Sequence, residues 1–248
     1  MRALRDIVAA PYARHVVAKY TAAGTYSVTL TPGKYHVTLV GAGGGAATAG
    51  YTTERGTSAA VGKLGYATGG GGALAAGDIV FDETTQVSIV VGSGAAGSAM
   101  TKIGDSASSQ YADIGAGGAT SFSFGTSSAE LGGGNDQAYA IVSISSSSEN
   151  MRPGGGGYPN QYISGISYYA GEDGTIPPNA TSITEIADGT SEYVQGGMAG
   201  GYDGVYRVPA ELGDAGRGGD VAWGYADGVL VFNGGNGRDG AVLIERIG

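Results

Sequence analysis

Apolar and polar residues alternate along a series of short stretches of this chain. The stretches are residues 26–30, 35–40, 78–81, 86–91, 120–124, 138–144, 229–232 and 241–246. Clusters of Gly, Asp or Ser bound each of them, and alternation of this length predicts β-strands that bury one face. Residues 31–34, Thr-Pro-Gly-Lys, read as a turn, so the first two strands are predicted to form a hairpin. The first and last strands are expected to pair.

The first 19 residues follow a different pattern. Leu4, Ile7 and Val8 are spaced three and four apart, which predicts a short amphipathic helical turn that Pro11 ends. Basic residues concentrate here on an otherwise acidic chain. We therefore interpret 1–19 as an attachment segment and 20–248 as a glycine-rich β domain, and packing of the segment on its own domain stays open. The predicted partner-docking residues are Arg2, Leu4, Arg5, Ile7, Val8 and Arg14.

Glycine separates the predicted strands. It makes up 50 of the 248 residues and clusters in runs such as 43–45, 69–72 and 154–157. Each glycine loses more chain entropy on folding than other residues, so close packing of backbone on backbone has to compensate. The seven prolines and the irregular glycine spacing exclude collagen. We expect polyglycine-II-like ribs or ordered hairpins within the insertions 41–77, 92–118 and 145–228.

These patterns together predict an all-β fold. The expected framework is a β-sandwich or jelly roll with long glycine-rich, polyglycine-II-like insertions and a short N-terminal helical segment. A parallel βαβ sheet is excluded because almost nothing between the strands has helical periodicity.

Charge and composition exclude several classes of function. Thirteen basic against 22 acidic residues give a net charge of −9, which argues against binding nucleic acid. The chain has no cysteine, so disulfides, thiolate zinc sites and cysteine nucleophiles are excluded. No apolar run approaches the roughly 18 residues of a membrane-spanning helix, and no membrane insertion is expected.

Three glycine-rich stretches imitate ligand-binding motifs. Residues 41–46 and 92–97 each place a dinucleotide-like glycine pattern after a strand, but no helix follows to receive a pyrophosphate. Residues 234–239 match a single calcium nonapeptide, whereas such sites form between stacked copies. A tight turn before the last strand is the preferred interpretation. We predict no cofactor and no metal.

Catalytic signals are weak. The only histidines are His15 and His36, and acidic residues such as Glu172, Asp173, Glu185 and Asp188 lie among Gly and Ser in a way typical of solvated loops. We predict no enzymatic activity. A glycosidase with paired carboxylates stays open, because its acids can come from anywhere in the chain.

Aromatic residues offer the best candidates for ligand contact. Tyrosine and tryptophan supply large amphipathic surfaces suited to sugars or protein loops, and many lie in the glycine-rich second half. Packing over the glycine backbones is the competing interpretation. The predicted ligand-binding residues are Tyr158, Tyr168, Tyr169, Tyr202, Trp223 and Tyr225.

An ordered series of segments resembles the glycine-rich domain of bacteriophage tail fibres and minor tail proteins. The series runs through residues 26–45, 69–75, 86–94, 117–122 and 239–244, so the resemblance covers about 20–248. It implies a virion protein at the tail tip or fibre end. The implied partners are a host cell-surface glycan or protein and, through residues 1–19, other tail proteins; a homotrimer is also considered.

The chain departs from that family in two respects. Residues 145–192 are rich in Ser, Thr and Tyr rather than dense in glycine, and only a short segment precedes the domain, which indicates a separately mounted subunit. Two alternatives stay open. One is a purely structural minor tail protein without a receptor, and the other is a hydrolase of surface polysaccharide.

Overall fold

The computed structural model describes residues 14–53, 59–101, 109–134, 138–143, 150–176, 183–187, 189–227 and 229–247. Strands and extended segments make up nearly all of these residues, and the described helical element is the 3-10 helix Ala210–Leu212. The all-β prediction is confirmed. The strands are β1 (Arg14–Tyr20), β2 (Gly24–Leu30), β3 (Gly33–Val40), β4 (Ala47–Thr53), β5 (Ala59–Ala67), β6 (Leu74–Phe81), β7 (Thr85–Val91), β8 (Ala99–Thr101), β9 (Ser109–Ile114), β10 (Thr120–Phe124), β11 (Ser127–Leu131), β12 (Ala138–Ser143), β13 (Asn150–Arg152), β14 (Pro159–Gln161), β15 (Ile166–Tyr169), β16 (Ile183–Ala187), β17 (Ser191–Val194), β18 (Val221–Ala226), β19 (Val229–Gly234) and β20 (Ala241–Ile247).

Two antiparallel sheets form a sandwich that we call the base. Their strand orders are β1-β20-β3-β6-β15 and β14-β11-β10-β7-β2. The sheets share one hydrophobic core, in which Val37, Ile89 and Phe122 are fully buried. The alternating pattern explains this core, because every second residue of β3 and β7 points between the sheets.

The predicted hairpin of β2 and β3 is wrong. β2 pairs with β7 in one base sheet, whereas β3 lies between β20 and β6 in the other. Both strands bury an apolar face in the same core from opposite sides, so the link between them crosses from sheet to sheet. The Tyr35 hydroxyl donates to the Thr31 carbonyl at 2.9 Å and holds this crossing.

The N-terminal part of the described chain is a strand. β1 pairs along β20, and Arg14 lies 3.5 Å from Glu245. β1 therefore crosses the predicted boundary at residue 19, and it takes the place beside β20 that was expected for β2. The Tyr20 ring stacks on Tyr26 at 4.5 Å between ring centroids. The predicted helical turn, with Arg2, Leu4, Arg5, Ile7 and Val8, lies outside the described residues.

Ten extended segments, which we call ribs, leave the strands. One end of each rib joins a base strand or the connection 201–216. The other end lies at the far end of the molecule. Within the described residues the ribs are 41–46, 68–73, 92–98, 115–119, 132–134, 153–158, 170–176, 195–198, 217–220 and 235–240.

The ribs pack side by side as a hexagonal bundle. Rib 41–46 exchanges backbone hydrogen bonds with six neighbours, and so does rib 68–73. Those two central ribs are neighbours of each other, and the other eight form a closed ring in which each rib bonds to the next. In each central rib, five of the six backbone N–H groups donate to backbone carbonyls of other segments.

The direction of the bonds repeats every three residues. The N–H groups of Gly41 and Gly44 donate to rib 68–73, and those of Gly43 and Ala46 donate to rib 235–240. A polyproline-II-type helix has three residues per turn and no internal hydrogen bonds, so its donors point in three directions. The predicted polyglycine-II-like ribs are therefore present. The period lies in the bonding and not in the glycine spacing, which explains why no repeat is visible in the sequence.

The rib glycines serve close approach and not unusual conformation. Positive φ angles occur at other glycines, and none lies within a described rib. A Cβ at Gly69, Gly70 or Gly72 would instead fall well inside 3.0 Å of a carbonyl oxygen on a neighbouring rib. Because only a hydrogen fits there, glycine is required at these positions.

Three small antiparallel sheets at the far end of the ribs form what we call the tip. Their strand orders are β13-β12-β9, β16-β5-β4 and β17-β18-β19-β8. β4 contacts β12 and β19, so the sheets pack around one another. A separate core of Ala46, Tyr66, Val221, Trp223 and Tyr225 lies beneath them. The insertions predicted from glycine content thus contain both ribs and strands.

The structure also assigns the motif-like stretches. Residues 41–46 form a central rib and residues 92–97 belong to an outer rib, and each continues into a strand. The tight turn predicted at 234–239 is wrong, because residues 235–240 form a rib bonded to ribs 92–98 and 217–220.

Candidate functional site

The six predicted ligand-binding aromatics do not form one site. Trp223 and Tyr225 lie on β18 in the tip. The other four lie at the base end of the bundle: Tyr168 and Tyr169 on β15, Tyr158 at the end of rib 153–158, and Tyr202 in the connection 201–216. The ribs separate the two groups.

Two of the base-end tyrosines have structural contacts. Tyr168 packs against the base core, and its hydroxyl accepts the N–H of Ile163 at 2.6 Å. Tyr169 lies under the guanidinium of Arg207, 4.2 Å from the ring centroid. Tyr158 and Tyr202 are exposed, at 54% and 67%.

The two tip aromatics are core residues. Trp223 is 9% exposed and Tyr225 is 1% exposed, so neither presents its ring to a large ligand. Prediction from sequence placed them in connections because the chain around them is rich in glycine. The structure instead places them on a paired strand, where Trp223 lies opposite Glu192.

A carboxylate that the sequence analysis did not single out holds the tip sheets together. Oε2 of Glu192 accepts the Tyr66 hydroxyl at 2.6 Å and the indole N–H of Trp223 at 3.0 Å. Tyr66 lies on β5 and Trp223 on β18, so one side chain links two tip sheets. Burial, reinforced by the hydrogen bond to Glu192, raises the pKa of Tyr66.

A pocket of about 300 Å³ opens in the tip beside this core. Its walls include Thr190, Ser191, Gly224, Tyr225 and Val231. Ser191 is exposed, Val231 is 46% exposed, and Gly224 leaves open space on β18 because a Cβ there would meet nothing closer than 3.7 Å. The described wall carries hydroxyl, amide and apolar groups and no charged side chain.

The Tyr225 side chain lies on the core face of β18, opposite the face on which Gly224, Ser191 and Val231 line this pocket, which we call the tip pocket. Its hydroxyl is buried and has no hydrogen-bond partner among the described residues. The candidate binding site is the tip pocket because it places the hydroxyls of Thr190 and Ser191 beside the exposed Val231. It fits a neutral polar group such as a sugar hydroxyl or a peptide amide.

Acidic residues among the glycines cap outer ribs. Asp173 accepts the N–H of Gly156 at 2.7 Å, and Glu172 accepts that of Met198 at 3.0 Å. Such outward-facing donors have no further rib to bond to, so a side-chain oxygen satisfies them. Glu172 and Asp173 lie on rib 170–176 rather than in a loop, with Glu172 half-buried and Asp173 exposed; Glu185 lies on β16, and Asp188 lies outside the described residues.

Within the described chain, no three His, Cys, Asp or Glu side chains come together to hold a metal ion. The search for a helix of sufficient length and hydropathy to cross a membrane also finds none among the described residues.

Comparison with known proteins adds no assignment. The chain matches no protein-family model, and no curated protein matches its sequence.

Proposed function

We propose that this chain is a non-enzymatic phage virion protein at the tail tip or fibre end, and that its tip sheets recognise the host cell surface. The observation that carries the proposal is the two-ended architecture. Ten ribs bonded to one another separate a sandwich base from a tip that contains the pocket. Binding sites concentrate where connections stand on a rigid scaffold, and a rib bundle is such a scaffold.

The position of the described chain ends supports attachment through the base. Arg14 and Ile247 lie opposite each other at the paired ends of β1 and β20. Whatever precedes or follows these strands leaves from the base sheet, away from the tip. Attachment to other tail proteins through residues 1–13 would leave the tip facing outward.

The chemistry of the tip supports a neutral receptor group. The tip pocket offers the hydroxyls of Ser191 and Thr190 beside the apolar side chain of Val231. Hydroxyls beside apolar surface suit a glycan or an exposed protein loop. The chain's net charge of −9 disfavours an acidic receptor at long range.

A matched pair of variants tests the proposal. Ser191→Trp fills the tip pocket, whereas Ser27→Trp places the same side chain on an exposed position of β2 in the base. We expect purified parent protein and Ser27→Trp to block adsorption of the phage to cells of its propagation host. Ser191→Trp should lose this competition while melting at the parent temperature.

Two outcomes would replace the proposal. Particles that fail to assemble without the protein, together with no binding of the parent to host cells, indicate a purely structural minor tail protein. Shortening of isolated host-surface polysaccharide by the purified protein indicates a hydrolase.

A further inference from the structure

A second pocket lies on the side of the rib bundle. It has a volume of about 290 Å³ and forms where ribs 195–198 and 217–220 meet the connection 201–216. We call it the flank pocket. Its lining includes Gln195, Met198, Ala199, Tyr206, Asp214 and Arg217.

An aromatic ring forms one wall of the flank pocket. Tyr206 is 53% exposed, and its hydroxyl donates to the carbonyl of Gly213 at 2.8 Å. That bond fixes the ring at both ends, because the backbone holds the other. Met198 and Ala199 supply apolar surface elsewhere in the lining. An exposed, fixed aromatic ring offers a stacking surface at small entropic cost.

Ion pairs hold the charged groups of the flank pocket, although Nε of Arg217 is buried without a hydrogen-bond partner among the described residues. The Arg217 guanidinium lies 2.8 Å from Asp220 and 3.3 Å from Asp214. Asp220 also accepts the Tyr193 hydroxyl at 2.6 Å and the N–H of Gly196 at 2.9 Å, so both of its oxygens have partners. The two carboxylates neutralise Arg217, so the pocket does not attract an anion.

Two polar side chains at the flank pocket keep bonding capacity. The side-chain amide of Gln195 is exposed and bonds to no described residue. Asp214 is 58% exposed in its side chain, and only its Oδ2 contacts Arg217. The Gln195 amide, which can both donate and accept, and the free carboxylate oxygen of Asp214 thus border the Tyr206 ring.

We propose that the flank pocket binds one neutral pyranose unit of a glycan. The apolar face of the sugar ring would lie on Tyr206, and its hydroxyls would bond to the Gln195 amide and donate to the free oxygen of Asp214. An acidic sugar is disfavoured by Asp214, and a small apolar ligand would leave both polar groups unsatisfied. The inference rests on the proposed function only for the source of the sugar, a host-surface glycan, and it adds a binding site outside the tip pocket.

Direct titration of the purified full chain with methyl glycosides of neutral hexoses and N-acetylhexosamines tests this site. We expect saturable binding of at least one glycoside by calorimetry or saturation-transfer NMR. Tyr206→Ala should weaken it about tenfold or more, as truncation of aromatic anchors does. Tyr206→Phe keeps the ring and should retain most of the binding. Gln195→Ala and Asp214→Asn should each weaken it several-fold.

The control is Tyr202→Ala, which removes another exposed tyrosine that does not line the flank pocket. It should bind the sugar like the parent, and all variants should melt like the parent. The inference is overturned if no glycoside of the panel binds, or if Tyr206→Ala binds as well as Tyr202→Ala. This readout is separate from host-cell adsorption, so the flank pocket can fail while recognition by the tip stands.

Discussion

The α-carbon of Gly43 packs against the carbonyl oxygen of Arg217, with no room for a side chain between them. Gly43 lies on a central rib and Arg217 on a rib of the surrounding ring. The rib that carries Gly43 also bonds to five other ribs, so Gly43 cannot move away from Arg217 without disturbing those bonds. The bundle is therefore held by many mutual contacts of this kind.

Gly43→Ala tests the rib packing. The added methyl group would overlap backbone atoms that several ribs hold in place, and we expect a loss of about 1–3 kcal/mol or more in the free energy of unfolding. Gly115→Ala is the control, because a Cβ at Gly115 meets nothing within 4 Å and its φ is not positive. It should be neutral or slightly stabilising. Equal stability of both variants in chemical denaturation would contradict a close-packed bundle.

Glu192→Ala tests the link between tip sheets. Removing the carboxylate leaves the Tyr66 hydroxyl and the Trp223 indole without their partner, and we expect a loss of about 2 kcal/mol. Trp223 is the only tryptophan of the chain, so its emission reports on the tip alone and should shift to the red. Glu211→Ala, an exposed acidic position near the base, should change neither stability nor emission.

Asp78→Asn tests an ionic contribution at the base. Lys34 at 2.8 Å and His36 at 2.7 Å lower the pKa of Asp78 through hydrogen bonds, with Lys34 the larger cause. The folded state thus favours the ionised form. This contribution is present above the unfolded pKa of about 3.9 and is lost as the pH falls through the lower folded pKa.

We therefore expect Asp78→Asn to be less stable than the parent at pH 7 and equally stable at pH 2, measured by denaturant titration. The control is Asp82→Asn, at an exposed position with no ion pair among the described residues. It should show no such pH-dependent difference. A gap between parent and Asp78→Asn that persists at pH 2 would rule out the ionic explanation.

Two truncations test the role of the N-terminal segment. Removal of residues 1–13 leaves β1 in place, so the melting temperature should stay within a degree or two of the parent while incorporation into particles is lost. Removal of residues 1–20 also takes away one of the two strands paired with β20 and the stacking partner of Tyr26, and should lower the melting temperature clearly. Normal incorporation after removal of 1–13 would refute attachment through that segment.

Local patterns in the sequence determined the strand framework and the existence of the ribs. Alternation located β3, β7 and β20 because each buries one face in a two-sided sheet, and that requirement is written into adjacent residues. The abundance of glycine predicted backbone packed on backbone, because little else compensates its entropy. Local pattern could not show that β2 and β3 belong to opposite sheets. Two strands that each bury one face show the same alternation whether they form a hairpin or lie in different sheets.

Only the tertiary structure decided what the ribs and aromatics do. The bonding period of three comes from the directions of N–H groups toward neighbours distant in sequence, as from Gly43 to Arg238, and leaves no repeat in the glycine spacing. Trp223 and Tyr225 are core residues because two small sheets close over them, while Tyr206 and Gln195 meet at a pocket because two ribs end beside the same connection. Whether such residues are buried, and which residues distant in sequence come together, depends on how the whole bundle assembles. No local pattern in the sequence encodes that assembly.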